Sequence, residues 1–322
     1  MKRLITKILA TAVVATTAHS ALAADYPDKP VRLIVPTAAG GSLDTLARLL
    51  GQRLEAQLGQ PFVVENRPGG NGNTAFEYVS KAKPDGYTLL VASDALAINP
   101  SLYKNVRYDP VKGFAPISLV TTAAQVLVVK PSLNVKTLKD FTALVKQKGK
   151  AITVASPGSG SAGHLAGTLY QSEAGVTWTH VAYKGGGPAV ADLVGGHVNG
   201  LFVTLAPAVP QVKAGALVAL AVTTPKRSTA LPDVPTVAEA GVPGFDVTNW
   251  QGVFAPAGTP AVLVDKINGA IQKIVREQDI KSRLIELGFE PVSGGPAELG
   301  QHVQENVTKW AKVIPQANIT VD

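Results

Sequence analysis

Short apolar runs alternate with longer segments of helical periodicity along most of this sequence. The run 31–35 is followed by leucines spaced three and four residues apart from Leu43 to Leu58. That spacing places them on one face, as in a helix that packs against a sheet. Strands and helices that alternate in this way are typical of largely parallel sheets flanked by helices. The sequence therefore predicts an α/β fold.

The same patterns predict most of the regular elements. Short apolar runs indicate strands at 31–35, 62–64, 87–92, 126–130, 152–155, 178–182, 201–204 and 217–223. Three- and four-residue spacing indicates helices at 43–58, 74–81, 138–148, 165–173, 188–193, 261–277 and 297–313. No fixed-period repeat interrupts this order.

The chain is long enough for two lobes, because its 322 residues exceed the roughly 250 to 300 at which one core stops growing. The segments 117–130 and 245–255 look extended and are candidates for two crossings between lobes. We therefore expect one lobe at 24–122 plus 250–322 and the other at 123–249. Sheets of this class bind ligands beyond the carboxyl ends of their strands, so the cleft between lobes is the expected site.

The N-terminus has the features of a signal peptide. Three cations within the first seven residues precede the uncharged stretch 8–18, which is shorter than the ~20 residues that span a membrane. Ala21 and Ala23 suit a signal peptidase. We expect cleavage after Ala23, which removes 23 of 322 residues, leaves 299 and lowers the net charge from +7 to +4. No Cys is present for lipidation, so we expect an unanchored periplasmic protein.

Composition excludes several functions. The lack of Cys removes disulfides, thiolate catalysis, iron–sulfur clusters and zinc fingers. No two histidines show the H-x-x-x-H spacing of metal sites, so we expect neither a metal nor a cofactor. A charge of +4 without a basic cluster is weak evidence for nucleic acid and suits a small anion equally well. We expect a monomer that binds no nucleic acid.

Three similar junctions carry most of the functional information. At 36–44, 156–163 and 183–188, a predicted strand enters a Gly- and Ser-rich loop that leads into a predicted helix. Glycine lets a ligand approach the backbone, and the first N–H groups of a helix have no partner within it. A helix N-terminus also stabilises an anion by about 0.3 to 1 kcal/mol. These junctions therefore predict an anion site, although each one alone is also explained by ordinary helix capping.

Two enzymatic motifs, for dinucleotide binding and for serine hydrolysis, are incomplete in these loops. Gly158, Gly160 and Gly163 match the dinucleotide-binding pattern, but no acidic residue between 175 and 191 follows to hold a ribose. None of the loop serines lies in a G-x-S-x-G motif. An exported hydrolase that uses a loop serine with His164 as base therefore stays open only as an alternative, and we expect no enzyme.

Several short motifs resemble one family of receptors. They are Tyr26-Pro27, Gly40-Gly41-Ser42-Leu43-Asp44, Val64-Glu65-Asn66-Arg67-Pro68-Gly69-Gly70, Pro84-Asp85-Gly86-Tyr87, Asn99-Pro100-Ser101-Leu102-Tyr103, Tyr183-Lys184-Gly185-Gly186-Gly187-Pro188 and Ala255-Pro256-Ala257-Gly258. In these the chain resembles the Bug-type solute-binding receptors of tripartite tricarboxylate transporters. The resemblance implies a type II-like periplasmic binding protein, with two α/β lobes joined by two crossing strands that close like a flytrap.

The resemblance also implies a ligand and a partner. It implies that loops of both lobes hold a carboxylate, with Asp44 retaining a water, and that membrane permease subunits receive the ligand. The ligand is expected to be a di- or tricarboxylate, an aromatic acid or an amino acid. The small side chains at 37–39, and Leu43 where relatives often carry Thr, leave room for a larger ligand in this interpretation. A sensor that reports to a membrane kinase is an alternative partner.

The predicted binding residues come from the junctions and from the expected walls of the cleft. Trp250 is included as a possible stacking surface, with core packing as its alternative. The expected set is Thr37, Ala38, Ala39, Gly40, Gly41, Ser42, Asp44, Ser93, Asp94, Ser156, Gly158, Ser159, Gly160, Ser161, Tyr183, Lys184, Gly185, Thr204 and Trp250.

Overall fold

The structure is a computed structural model that describes residues 26–316 and 319–320. The predicted signal peptide lies outside the described residues. The strands are β1 Val31–Val35, β2 Phe62–Asn66, β3 Thr88–Ser93, β4 Phe114–Val129, β5 Thr153–Ser156, β6 Thr179–Ala182, β7 Gly200–Thr204, β8 Val218–Val222, β9 Thr248–Pro256 and β10 Phe289–Gly294. The helices are α1 Ser42–Leu58, α2 Asn73–Ser80, α3 Ala95–Leu102, α4 Leu138–Lys148, α5 Ala162–Ala174, α6 Gly186–Gly195, α7 Leu205–Lys213, α8 Ala261–Arg276, α9 Gln278–Glu286 and α10 Pro296–Gln316.

The strands form two parallel groups joined by an antiparallel pair. Strand order is β2-β1-β3-β9-β4-β7-β5-β6, and β8 and β10 also pair with β4. β1 runs parallel to β2 and β3, and β5 runs parallel to β6 and β7. Up to Ala124, β4 pairs with β9 and β10, and from Gln125 onward it pairs with β7 and β8. One long strand therefore belongs to both sheets.

Each sheet is buried by helices whose apolar faces the sequence predicts. In α1, Leu46, Leu50 and Leu54 are almost fully buried and share a cluster with β1 and α8. In the other sheet, Phe141 of α4 and Tyr170 of α5 share a cluster with residues of β5 and β7. Burial of this kind contributes roughly 1.5–3 kcal/mol for each large apolar side chain. The predicted pairing of helix stripes with sheet faces is confirmed.

The two chain segments that link the sheets are tied together by Thr223, which is fully buried. Its hydroxyl accepts from the Gln125 N–H at 3.0 Å and donates to the Val247 carbonyl at 2.7 Å. Its own backbone N–H donates to the Gln125 carbonyl at 2.9 Å. One side chain therefore fixes β4 against the segment that leads into β9.

The predicted two-lobed α/β architecture with two crossing strands is confirmed. The exact boundaries between lobes, at 122/123 and 249/250, stay a prediction. Four elements were missed: α3, α7, α9 and β10. The residues of α9 directly follow α8, and the extended backbone of Glu277 (φ −61°, ψ 130°) separates the two helices. No helix in the described part of the chain is long and apolar enough to span a membrane.

Candidate functional site

A small cavity of about 60 Å³ lies where the two sheets face each other. Five helices begin at its wall: for each, the first residue or the one before it lines the cavity. These residues are Ser42 for α1, Asp94 and Ala95 for α3, Ala162 for α5, Gly186 for α6 and Thr204 for α7. Helix N-termini carry N–H donors without partners in the helix and a partial positive charge, and five of them converge on this wall.

The loop of the first lobe, residues 36–44, is held by one carboxylate. Asp44 is almost fully buried and accepts from the Gly40 N–H, from Asn66 Nδ2 and from Arg48 Nε, each at 3.0 Å. Burial alone would raise the pKa of Asp44, but these hydrogen bonds outweigh it and hold the pKa below its usual value. Asp44 does not line the cavity. It shapes the loop by accepting from the Gly40 backbone, and the water expected at Asp44 stays a prediction.

The loop of the second lobe, residues 156–164, is held by two stacked histidines. The His164 and His180 rings lie 4.1 Å apart at an angle of 12°. His164 Nδ1 accepts from the Gly160 N–H at 3.0 Å, and His180 Nε2 lies 2.7 Å from Ser156 Oγ. Burial, followed by the neighbouring His180, lowers the pKa of His164 to about 4. His164 is therefore neutral at pH 7 and serves as an acceptor for the loop backbone.

This loop uses several of its own donors. The N–H of Gly158 donates to Ser156 Oγ at 3.2 Å, and Ser161 Oγ caps α5 by accepting from the His164 N–H at 3.3 Å. The N–H groups of Ala162 and Gly163 find no acceptor among the described residues, and both residues line the cavity. Their donors, rather than those of Gly158 and Gly160, are available for a ligand.

The third junction, residues 183–188, closes directly against the first-lobe loop. The Ala38 N–H donates to the Lys184 carbonyl at 2.8 Å. A Cβ added at Gly187 would lie 2.4 Å from the Ala39 carbonyl oxygen, and one added at Gly185 would lie 3.0 Å from the Ala38 nitrogen. Backbone therefore meets backbone at this point, which requires glycine. The small side chains at 37–39 lie at this contact between the lobes, and the expected room for a larger ligand stays a prediction.

Two more hydrogen bonds cross between the lobes. Thr204 Oγ1 donates to Ser42 Oγ at 2.9 Å, and the Tyr103 hydroxyl donates to the Ser159 carbonyl at 2.8 Å. With the Ala38 contact, these bonds describe a closed arrangement of the lobes.

The floor of the cavity comes from the crossing strands and α3. Gln125 of β4 and Asn249 of β9 both line it and are 1% and 5% exposed. Asn249 Nδ2 donates to Asp94 Oδ1, whereas Gln125 Nε2, Asn249 Oδ1 and Thr37 Oγ1 have no partner in the described part of the chain. Burial raises the pKa of Asp94 to about 7, although hydrogen bonds from Ser93 and Ala95 oppose the shift. Three buried polar atoms at the cavity, on Thr37, Gln125 and Asn249, therefore lack a partner among the described residues, and they lie near the titratable carboxyl of Asp94.

The predicted residues divide into three groups. Those that line the cavity are Thr37, Gly41, Ser42, Ser93, Asp94, Ser161 and Thr204. Those that form or hold the loops and the contact between lobes are Ala38, Ala39, Gly40, Asp44, Ser156, Gly158, Ser159, Gly160 and Gly185. Tyr183, Lys184 and Trp250 have side chains that do not line the cavity.

Each of this last group has a physical reason for its placement. Trp250 is 1% exposed and packs against Phe254 and His302, so its expected place in the cleft is corrected to the core of the first lobe. The Tyr183 hydroxyl donates to Asp192 at 2.6 Å. The side chain of Lys184 is exposed, and its carbonyl rather than its ammonium group contributes to the closed arrangement.

Ten lining residues were absent from the expected set. Asn71, Ala95, Gln125 and Asn249 lie outside the predicted junctions, whereas six lie within them: Pro36, Leu43, Pro157, Ala162, Gly163 and Gly186. Gln125 carried a usable signal, because it is a polar residue inside an apolar run predicted to be buried. A buried polar side chain normally has a hydrogen-bond partner, so a buried Gln125 indicates a polar contact that the strand alone does not supply. Asn71 and Asn249 stood outside every junction motif, so only the folded chain brings them to the site.

The comparisons with known proteins agree with this architecture. Residues 46–319 match the model of the tripartite tricarboxylate transporter family receptor. An Agrobacterium vitis protein, "UPF0065 protein in the TAR-I ttuE-ttuC' intergenic region", is 38% identical over 295 residues, covering 91% of this chain and 85% of the relative. Protein BugT of Bordetella pertussis is 34% identical over 291 residues, covering 90% and 89% of the two chains.

Three solved structures are similar over nearly their whole length. The periplasmic binding protein BugD has a TM-score of 0.88 at 35% identity, covering 92% of this chain and 99% of its own. R. palustris Rpa4515 with adipate has a TM-score of 0.89 at 36% identity, with the same coverage. MatC (Rpa3494) from Rhodopseudomonas palustris with bound malate has a TM-score of 0.84 at 34% identity, covering 90% and 100%.

Fold and site together define a solute-binding receptor of the two-lobed periplasmic binding protein class. More particularly, the chain belongs to the receptor family of the tripartite tricarboxylate transporters, and its resemblance to Bug-type receptors is confirmed. The family consists of receptors rather than enzymes, which removes the hydrolase alternative.

Proposed function

We propose that this receptor captures a small carboxylate in the cavity between its lobes and presents it to permease subunits in the membrane. The observation that carries the proposal is the meeting of five helix N-termini around one small cavity. Unpaired backbone donors and helix dipoles stabilise a carboxylate without a fixed cation. The binding residues proposed are those that line this cavity.

Similar proteins support the same class of ligand. Rpa4515 is seen with adipate and MatC with malate. The wall described here offers neutral donors at each helix start, which fits one carboxylate group of such acids. Closure of the lobes around it would bury the charge, where hydrogen bonds to it are stronger than in water.

The proposal includes export and delivery. The signal sequence expected at 1–23 would place the mature chain in the periplasm, and the family points to a tripartite tricarboxylate-type permease as partner. A closed receptor differs in shape from an open one, so ligand binding favours the conformer that the permease recognises. The lobe division at 122/123 and 249/250 fits the switch of β4 pairing after Ala124.

The first test is calorimetric titration of the purified mature protein. The panel contains mono-, di- and tricarboxylates, aromatic acids and the neutral amides of the same acids. At least one acid should bind with a dissociation constant in the micromolar range or below, and its amide should bind at least about tenfold more weakly, because a charge-assisted hydrogen bond is lost. Binding of amides but of no acid would refute carboxylate capture.

The partner is tested in cells. Deletion of the permease genes should abolish receptor-dependent uptake of the labelled acid and leave binding by the purified receptor unchanged. Uptake that persists without the permease, together with loss of a transcriptional response when the receptor is deleted, would favour the sensor alternative.

A further inference from the structure

We infer that the ligand carries a hydrogen-bond donor in addition to its carboxylate, as a hydroxy acid, an amino acid or an acid amide does. The inference rests on the proposed function and narrows it. It comes from the floor of the cavity, which Gln125 and Asn249 line: one has a buried donor and the other a buried acceptor without a partner among the described residues.

Asn249 presents an acceptor. Its Nδ2 donates to Asp94 Oδ1, which fixes the orientation of the amide. Above the pKa of Asp94, about 7, the opposite orientation would place two oxygens against each other, because an ionised carboxylate only accepts. Asn249 Oδ1 is therefore left without a partner in the described part of the chain. A donor on the ligand satisfies it directly.

Gln125 presents a donor. Its Nε2 has no partner among the described residues, and the side chain is almost fully buried. Any carboxylate oxygen can accept from it. An unsubstituted acid therefore satisfies Gln125 and leaves Asn249 unsatisfied, whereas an acid with a hydroxyl, amino or amide group satisfies both.

Lack of a partner alone does not identify a ligand contact. Gln251 Nε2 and Gln272 Oε1 also lack partners, but neither residue lines the cavity. Position distinguishes Gln125 and Asn249, which come from the two crossing strands and meet at one wall. A site built to hydrogen-bond a ligand donor rejects the analogue that lacks it, because its own buried acceptor is then unpaired.

The test compares succinate with its L-2-hydroxy derivative, its L-2-amino derivative and its monoamide, by calorimetry on the mature protein. At least one donor-bearing acid should bind tenfold or more tightly than succinate. Succinate binding as tightly as all three would overturn the inference while leaving carboxylate capture intact, because waters would then satisfy Asn249. Silence toward all four acids and toward the wider carboxylate panel would overturn both.

Two variants separate the roles. Asn249→Leu should bring the preference for the donor-bearing acid close to one, because only donor recognition is lost. Gln125→Met should weaken succinate and the substituted acid by a similar factor, since both offer an acceptor. Gln272→Met makes the same chemical change away from the cavity and should leave the preference unchanged.

An unchanged preference in a folded Asn249→Leu protein would contradict the assignment. The wild-type comparison decides the inference if that variant does not fold.

Discussion

The binding loops of the two lobes have the same design but different anchors. Both lead from a strand into a helix whose first N–H groups face the cavity. In the first lobe an ionised carboxylate, Asp44, grips the loop backbone, whereas in the second lobe the neutral ring of His164 does so. The comparison teaches that an anion site made of backbone donors depends on loop shape, and that different side chains can hold that shape.

The largest expected effect on ligand affinity comes from a change at the contact between the lobes, at Gly187. This change leaves both anchors, Asp44 and His164, in place. Gly187→Ala would place a methyl group 2.4 Å from the Ala39 carbonyl oxygen in the closed arrangement. The steric cost of about 1–3 kcal/mol falls on the closed form alone, so ligand affinity should decrease about 5- to 150-fold. Calorimetric titration measures this decrease.

The open protein should not be destabilised by that change, because Ala is favoured over Gly in a helix by roughly 0.5–1 kcal/mol. Gly269→Ala, also within a helix but with nothing within 4 Å of the added Cβ, is the matched control and should leave affinity unchanged. Equal affinities for the Gly187 and Gly269 variants would show that the ligand-bound form does not use this contact.

Removal of the charged anchor should have the next largest effect. Asp44→Ala leaves the Gly40 N–H without its acceptor and removes one of the two acceptors of Asn66 Nδ2. We expect the free energy of unfolding to decrease by about 2–3 kcal/mol, with weaker binding as the loop loosens. Urea denaturation measures the first effect. His164→Asn should be milder, because an amide oxygen can still accept from Gly160. A larger loss at His164 would reverse the comparison.

Acid should lower the free energy of unfolding through the His164 anchor. The pKa of His164 is about 4 in the folded chain against 6.5 for an ordinary histidine, so the unfolded chain binds more protons between these values. Stability contributed by neutral His164 is therefore lost as the pH falls from about 6.5 toward 4. Between pH 7 and pH 5 we expect a loss of about 1–2 kcal/mol from this group, measured by urea denaturation.

Asp94 acts in the opposite direction. Its folded pKa of about 7 lies above the ordinary 3.8, so the folded chain binds more protons and gains stability as the pH falls through that window. His164→Asn should therefore reduce the acid loss, and Asp94→Asn should increase it. Identical pH profiles for both variants and the native protein would contradict the two assignments.

The sequence predicted the fold better than the site. Periodic patterns such as the leucine stripe of α1 depend on local spacing, and the structure confirms them. The cavity depends on which residues the fold brings together. Asn249 and Gln125 are far apart in sequence and meet only because β4 and β9 cross side by side. Trp250 was misplaced because alternation along a strand does not show which face meets the core when both faces are buried.

The smallest expected effect concerns the hydrogen bond between Thr204, at the end of β7, and Ser42, in the first-lobe loop. Thr204→Val keeps the shape of Thr204 but removes the donor to Ser42 Oγ. A neutral hydrogen bond contributes about 0.5–1.5 kcal/mol, so affinity should decrease only about two- to tenfold. Thr45→Val is the matched control, because it removes a hydroxyl that bonds the Gly41 carbonyl within one lobe. Calorimetry could instead show that Thr45→Val binds the ligand more weakly than Thr204→Val. The shape of the first-lobe loop would then matter more for affinity than the hydrogen bond between lobes, and the anchors that hold the loops would be its main determinant.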